Sequence, residues 1–280
     1  RQAAEMVKKN ELTLSFHRTG KNKFDFIAFM PLISRSSDQQ LVSMVEQSTE
    51  SKAVVTERKY SGAKIFDVRF SEKSLLDFSF GFSDGLLIAS PSGILIEEAI
   101  RQIDQPDSEE LKPGFMQVFR TAGQNVEANI FINYNSFTEM LSALLNEKYK
   151  KSLEDFAGFA DWGELDASIR DDVILLNGFT TTDQSANEYL DIFLKQQPQK
   201  IEIEKVIPDQ VAAFIVFSIE DLNRYKERYR EYLKASGSLD DYQAEIDAVN
   251  KKYGIDLEKM FYSFMDKEAG VLITDVKNYD

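Results

Sequence analysis

Apolar and polar residues alternate along the first third of the chain, in short runs separated by turn-forming residues. Residues 12–33 alternate on both sides of the turn-like sequence TGKN, which is typical of a hairpin with one buried face. Further extended runs cover residues 53–60, 63–70 and 75–82. The last run leads through Asp84-Gly85, a strong signal for a two-residue hairpin turn, into LLIAS. The pattern predicts an antiparallel meander.

Helical spacing of apolar residues appears between and after these runs. Leu41, Val42 and Val45 predict a helix with N-cap candidates at Ser36–Asp38, and residues 93–104 predict a second helix after Pro91 and Ser92. The polar stretch from residue 219 to 265 predicts a helical hairpin that breaks at Gly237 and Ser238, followed by a last helix from about Ile255.

Two segments with the same order of predicted elements, a strand followed by a capped helix, suggest an internal repeat. VEANIFINY, followed by a helix with Ser136 and Glu139 at capping-box spacing, resembles VAAFIVFS and the helix after it. A further helix is predicted over residues 185–196 and a strand over 200–207. The prediction is an α+β protein of two related modules, residues 1–124 and 125–280, each an antiparallel sheet covered by helices. The first module would be truncated at its N-terminus and the second would continue past Asp280. Chance resemblance of common elements is the alternative.

Charge and composition narrow the classes of partner. The 280 residues carry a formal net charge of −14, which disfavours nucleic acids and anionic membrane surfaces. The absence of cysteine removes disulfides, thiolate metal sites and thiol nucleophiles. No apolar run approaches the length of a transmembrane helix.

Motifs for catalysis are weak. The single histidine, His17, is expected in a hairpin turn, and the S-x-x-K sequence at Ser61–Lys64 is expected in another turn rather than at a helix start. Acidic clusters such as Asp161/Glu164/Asp166 fit no calcium loop and are expected to be solvated surface. No glycine-rich phosphate loop is present. We therefore predict no catalytic residue, no metal ligand and no cofactor.

Exposed aromatic residues are the best candidates for a binding surface. Trp162, the only tryptophan, lies beside glycines in FAGFADWGELD, and Tyr225, Tyr229 and Tyr232 form a stripe on the charged helical hairpin. Aromatic side chains of this kind are common at interfaces, although packing against the sheet is the more ordinary role. Trp162, Tyr225, Tyr229 and Tyr232 are the predicted binding residues.

Several longer sequences resemble a family of envelope-anchored proteins of Bacteroides-like bacteria, described only as a domain of unknown function. They are TLSFHRTGKNKFDFIAFMPL, FSFGFSDGLLIASPSGILIEEAIRQID, VEANIFINYNSFTEML and the tail containing IPDQVAAFIVFSIEDLNRY, YGIDLEKMF and DKEAGVLI. The resemblance implies an exported protein in the periplasm or cell envelope of a Gram-negative bacterium. Its membrane tether would be a missing N-terminal segment, and the family offers no catalytic residues.

The expected function is therefore noncatalytic binding or scaffolding, with an envelope protein or a glycan as partner. Two alternatives remain open. One is a carboxylate-dependent hydrolase acting on envelope glycans, which would need two carboxylates flanking a cleft. The other is a carrier of a small apolar ligand, suggested by the 21 phenylalanines.

Overall fold

Hairpins joined by tight turns build the first part of the chain. The computed structural model describes residues 11–32, 42–43, 45–47, 53–71, 77–105, 112–146, 153, 158–184, 187–208 and 211–274. It forms two compact units, Arg1–Leu111 and Lys112–Asp280. The elements of the first unit are β1 (Thr13–Gly20), β2 (Lys23–Pro31), β3 (Ala53–Tyr60), β4 (Ala63–Phe70), β5 (Phe78–Ser83), β6 (Leu86–Ser90) and α1 (Gly93–Asp104).

The six strands form one antiparallel sheet in the order β1-β2-β6-β5-β4-β3. Two of its turns place consecutive residues at positive φ, Ser61-Gly62 and Asp84-Gly85. Such turns match the twist of the flanking strands, which is why Asp-Gly marks a hairpin so clearly. The predicted hairpins at these two turns are confirmed, and Ser61–Lys64 is indeed a hairpin turn. His17, however, lies within β1 opposite Asp25 and not in the turn.

Alternation along the strands gives the sheet two apolar faces. On one face Ile27, Ile65 and Ile88 form a cluster with Ile96 and Ile100 of α1. On the other face Phe66, Val68 and Phe80 form a second buried cluster. The helical residues Val42 and Val45 pack against this cluster. The predicted helix around Val42 is thus confirmed where it is described, while its cap candidates Ser36–Asp38 lie outside the described residues.

The second unit has shorter sheets and more helix. Its elements are α2 (Pro113–Thr121), β7 (Ala128–Asn133), α3 (Tyr134–Leu144), β8 (Trp162–Arg170), β9 (Val173–Thr181), a first 3₁₀ helix (Tyr189–Phe193), a second 3₁₀ helix (Ile203–Val206), β10 (Val211–Ser218), α4 (Leu222–Ala235), α5 (Leu239–Tyr253), α6 (Leu257–Phe264) and β11 (Glu268–Thr274). The antiparallel sheets are β7-β8-β9 and β10-β11. None of the described helices is both long and apolar enough to cross a membrane.

The predicted α+β class with antiparallel sheets and a C-terminal helical hairpin is confirmed. Helix α2 packs on β8 and β9, so the second unit includes residues that the prediction of a 1–124 module assigned to the first. That the two modules are related by a repeat stays a prediction.

Three local predictions are wrong, and in two of them a side chain satisfies the backbone in a way that the prediction did not include. Helix α3 begins at Tyr134, capped by the side chain of Asn133, which accepts from the N–H of Ser136, so Ser136 is not the cap. Residues 203–206 form a 3₁₀ helix and not a strand, because the carboxylate of Glu268 accepts the N–H groups of Glu202 and Ile203. The predicted 185–196 helix is, where described, the short 3₁₀ helix Tyr189–Phe193.

Replacing the fully buried Ile65 with alanine should lower the free energy of unfolding by about 2–5 kcal/mol, because the core beside α1 loses apolar contacts and gains a cavity. Urea denaturation measures the change. The matched control is Val54→Ala on the neighbouring strand β3, where the side chain is 61% exposed and the expected change is within about 0.5 kcal/mol. Equal losses in the two variants would contradict this assignment of the core.

Candidate functional site

Strand β8 carries a row of functional side chains on one face. Trp162, Glu164 and Asp166 lie at alternate positions, and helix α2 covers this face, since the ring of Phe115 lies 5.0 Å from that of Trp162. Because β8 pairs with β7 on one side and β9 on the other, it is the central strand of its sheet. Of the polar residues on this face, Glu164 is buried, whereas Asp166 is half-buried and Arg170 near the end of the strand is exposed.

Glu164 is fully buried, and among the described residues no group meets the geometry of a hydrogen bond to either of its carboxylate oxygens. Burial raises the pKa of Glu164 from 4.5 to about 7, and the adjacent Asp166 carboxyl adds to the shift. Asp166 behaves oppositely: the N–H of Gly123 donates to its carboxylate, which lowers the pKa, and the side-chain amide of Asn129 also donates to it. The expectation that Asp161/Glu164/Asp166 is solvated surface is wrong for Glu164, because a central strand turns this residue under α2.

A second group of carboxylates forms where β9 ends and the first 3₁₀ helix begins. Ligand oxygens of Asp183, Glu188 and Asp191 all lie within 4.8 Å of one another; we call these residues the carboxylate triad. Glu188 is the N-cap residue of this 3₁₀ helix, and the backbone N–H of Asp191 donates to its carbonyl at 3.0 Å, which keeps the two residues close. The backbone N–H of Asp183 donates to Oε2 of Glu188 at 2.8 Å and joins the two segments.

The backbone also brings Asp161 to the triad. The N–H of Asp161 donates to the carbonyl of Thr181, extending the β8-β9 ladder, while the N–H groups of Tyr189 and Leu190 donate to the carbonyls of Gly158 and Phe159. Burial and the charge of Asp183 raise the pKa of Asp161, against an opposing effect of Lys112. The first 3₁₀ helix is thus tied to the segment just before β8.

Burial and, to a smaller extent, repulsion between neighbouring carboxylates disfavour the charged form of Glu188. Burial raises the pKa of Glu188 from 4.5 to about 7, and the carboxyls of Asp183, Asp161 and Asp191 add to the shift, while the N–H of Asp183 opposes it. Two full negative charges 4.8 Å apart repel by about 3 kcal/mol at an effective dielectric constant of about 20. The triad needs a proton or a cation to remain together.

The predicted binding residues lie elsewhere in the second unit. Trp162 is half-buried under α2, with a buried indole N–H that has no hydrogen-bond partner. Tyr225, Tyr229 and Tyr232 are half-buried, and their rings contact each other, Phe193 and Tyr189 of the first 3₁₀ helix, and Tyr242 of α5. Burial raises the pKa of both Tyr225 and Tyr229. The tyrosine stripe therefore packs against neighbouring helices; its role in binding stays a prediction.

Sequence reasoning missed the triad, because its stretch was interpreted as a cap and an amphipathic helix. The available signal was a Glu and an Asp three residues apart, behind a strand end that carries a third acid. It is weak, since acidic residues at such spacing are common on solvated helices.

Two described cavities in this unit lie outside the triad. One, of about 480 Å³, has a charged lining that includes Lys226, Arg230, Asp256 and Glu258. The other, of about 550 Å³, is lined by residues that include Thr180, Leu190, Phe193 and Phe217. Neither lining contains a triad carboxylate. The hydrolase and the apolar-ligand carrier stay predictions.

The opposite face of the β7-β8-β9 sheet is apolar and open. Ile169 and Ile174 are directly paired across β8 and β9, and Leu176 pairs with Ala167 on the same face. We call Ile130, Ile169, Ile174 and Leu176 the open sheet face; their exposed fractions are 41%, 58%, 69% and 52%. Among the described residues no helix covers these four side chains as α2 covers the other face.

These features define an α+β protein of antiparallel sheets whose second unit buries carboxyl groups on one side of a sheet and exposes apolar residues on the other. A family model described as a protein of unknown function, DUF3352, matches residues 30–278, and the chain belongs to this family. No curated protein and no solved structure matches the sequence.

The free energy of unfolding should fall as the pH rises from about 4.5 to about 7, in part because of Glu164. The folded protein retains the Glu164 proton in this range, whereas the unfolded chain releases it, so the unfolded state is favoured as protons are removed. The stabilising effect of the proton is complete below the unfolded pKa and is lost as the pH rises through the folded one.

Glu164→Gln should remove the contribution of Glu164 to this pH dependence of the free energy of unfolding. At about pH 8 the free energy of unfolding of the variant should be higher than that of the wild-type protein by about 1–3 kcal/mol, which is the cost of an unsatisfied buried group. At about pH 5 the difference should be smaller. Urea denaturation at the two pH values measures this, with Glu227→Gln on the exposed side of α4 as control. A pH-independent effect of Glu164→Gln would contradict the assignment.

Proposed function

We propose that this chain is a noncatalytic binding or scaffolding region of an exported, envelope-anchored bacterial protein. The observation that carries the binding role is the open sheet face. Isolated exposed apolar side chains are ordinary on a protein surface, but neighbouring ones that form a patch mark sites of interaction. Here Ile169, Ile174 and Leu176 are neighbours on two paired strands, and Ile130 lies on the same face of the sheet, opposite Leu165 of β8.

A protein segment is the partner that this face fits best. A flat strand surface lined by isoleucine and leucine offers apolar packing and no charged group for a sugar or phosphate. Strand β9 is also the last strand of its described sheet and is exposed along nearly its whole length, so its edge can pair with an added strand of a partner.

Charged substitutions on the open sheet face should abolish this interaction. Ile174→Lys and Leu176→Lys should each reduce recovery of a cross-linked partner by roughly tenfold or more, because the partner would have to bury a lysine. The measurement is cross-linking of the tagged full-length protein in intact cells, followed by mass spectrometry.

Val54→Lys is the matched control, since it places the same charge on an exposed strand residue of the first unit. Its cross-linked partners should be those of the wild-type protein. Trp162→Ala and Tyr229→Ala test the aromatic residues in the same experiment. If only these two variants lose the partner, the binding surface is the aromatic one; if no partner exceeds background, the binding role fails.

The envelope location is supported by the resemblance of the sequence to envelope-anchored proteins. We expect the full-length protein to fractionate with the cell envelope and to be degraded by protease once the outer membrane is permeabilised. A cytoplasmic protein of known location and an envelope protein serve as references. Recovery in the soluble cytoplasmic fraction would contradict this part of the proposal.

A further inference from the structure

The carboxylate triad lies apart from the open sheet face and plays no part in the proposed binding role. Its three members come from two segments, the residues after β9 and the first 3₁₀ helix. The two segments are fixed to each other by the hydrogen bond from Asp183 N–H to Glu188 Oε2, and the 3₁₀ helix is fixed to Gly158 and Phe159. The positions of the three carboxylates are therefore fixed by backbone hydrogen bonds and do not depend on the conformations of surface side chains alone.

Asp191 provides the observation that points to a ligand. Its side chain is 2% exposed, and neither carboxylate oxygen has a hydrogen-bond partner, yet the group is directed at Asp183 and Glu188. Glu188 is 8% exposed. Among the described residues no lysine or arginine forms an ion pair with Glu188 or Asp191. A buried carboxylate without donors or a counter-ion requires a positive ligand or a proton.

We propose that Asp183, Glu188 and Asp191 bind a calcium ion. Carboxylate oxygens are ligands for hard cations, and the chain has no cysteine and one histidine, which lies in the first unit. Two oxygens that each lie about 2.4 Å from one Ca²⁺ are at most about 4.8 Å apart, which is the limit that the triad oxygens meet. Mg²⁺ usually keeps several waters and binds only one or two protein carboxylates, so a group of three carboxylates suits Ca²⁺ better.

The three carboxylates of the triad are the protein ligands of this site, and Asp161 lies outside the group whose oxygens are within 4.8 Å of one another. Ca²⁺ takes six to eight oxygens, of which the triad supplies three to six depending on how many carboxylates bind through both oxygens. A bound ion would tie the end of β9 to the 3₁₀ helix, whose Tyr189 and Phe193 contact the tyrosine stripe of α4.

Calorimetric titration of the full chain tests the proposal. The protein is first treated with a chelator and then titrated with CaCl₂ at about pH 8, where carboxylates with ordinary pKa values are ionised. We expect one saturable site and a rise in Tm with Ca²⁺ concentration. Asp191→Asn, which keeps the shape of the side chain and removes its charge, should weaken Ca²⁺ binding by at least about tenfold and abolish the rise in Tm.

The same variant separates a binding role from a structural one. Without Ca²⁺, Asp191→Asn should have a Tm equal to or above that of the wild-type protein, because it removes a buried, unpaired charge. Asp241→Asn on the exposed first turn of α5 is the matched control and should bind Ca²⁺ as the wild-type protein does. NaCl at equal ionic strength controls for screening of the net charge of −14.

Three results would overturn the proposal. One is the absence of saturable Ca²⁺ binding by the wild-type protein. Another is unchanged Ca²⁺ affinity in Asp191→Asn, which would place any bound ion elsewhere on the acidic surface. The third is binding of Mg²⁺ without binding of Ca²⁺.

Discussion

The antiparallel pairing of β8 with β7 and β9 is the constraint on which the second unit depends. This pairing makes β8 a central strand and fixes which of its residues face α2 and which face the open side. Continuing the ladder by one residue, from Asp161 N–H to the carbonyl of Thr181, brings the start of β8 beside the end of β9. The carboxylate triad, the buried Glu164 and the open sheet face all follow from one register.

The surroundings of two acids on that strand show how local donors decide electrostatics. Glu164 and Asp166 are two residues apart on the same face, yet the pKa of Glu164 is raised by burial, whereas Gly123 N–H lowers that of Asp166. The difference is whether the backbone supplies a donor to the charged form. In the triad the N–H of Asp183 donates to Glu188, whereas no donor among the described residues reaches the buried carboxylate of Asp191.

The two units differ in how their sheets are covered. In the first unit apolar clusters lie on both faces, one closed by α1 and the other packed against Val42 and Val45. In the second unit α2 covers one face of the β7-β8-β9 sheet, and isoleucine and leucine remain exposed on the other. A sheet with one apolar face in contact with solvent is an incomplete layer, because burial of that face against another element is what normally stabilises a sheet. This asymmetry is the basis of the binding role that we propose for the second unit.

The sequence by itself determined the features that rest on neighbouring residues. The turns at Ser61-Gly62 and Asp84-Gly85, helix α1, the break at Gly237 and the start of α6 at Asp256 were predictable, because positive φ, capping and apolar spacing act within a few residues. The local pattern predicted the wrong element where a side chain distant in sequence accepts hydrogen bonds from the backbone, as Glu268 does from the N–H groups of Glu202 and Ile203. The α+β class could therefore be predicted from the sequence, whereas the second 3₁₀ helix could not.

Only the tertiary structure decided which acids are buried and which meet. Glu164 has the same sequence surroundings as its solvated neighbours, and its burial results from the central position of β8 under α2. Asp161 and the triad come from segments about 20 residues apart, joined by strand pairing and a 3₁₀ helix that the apolar spacing did not reveal. Sequence spacing records which residues share a face of one element, whereas a site built from several elements depends on their register and packing.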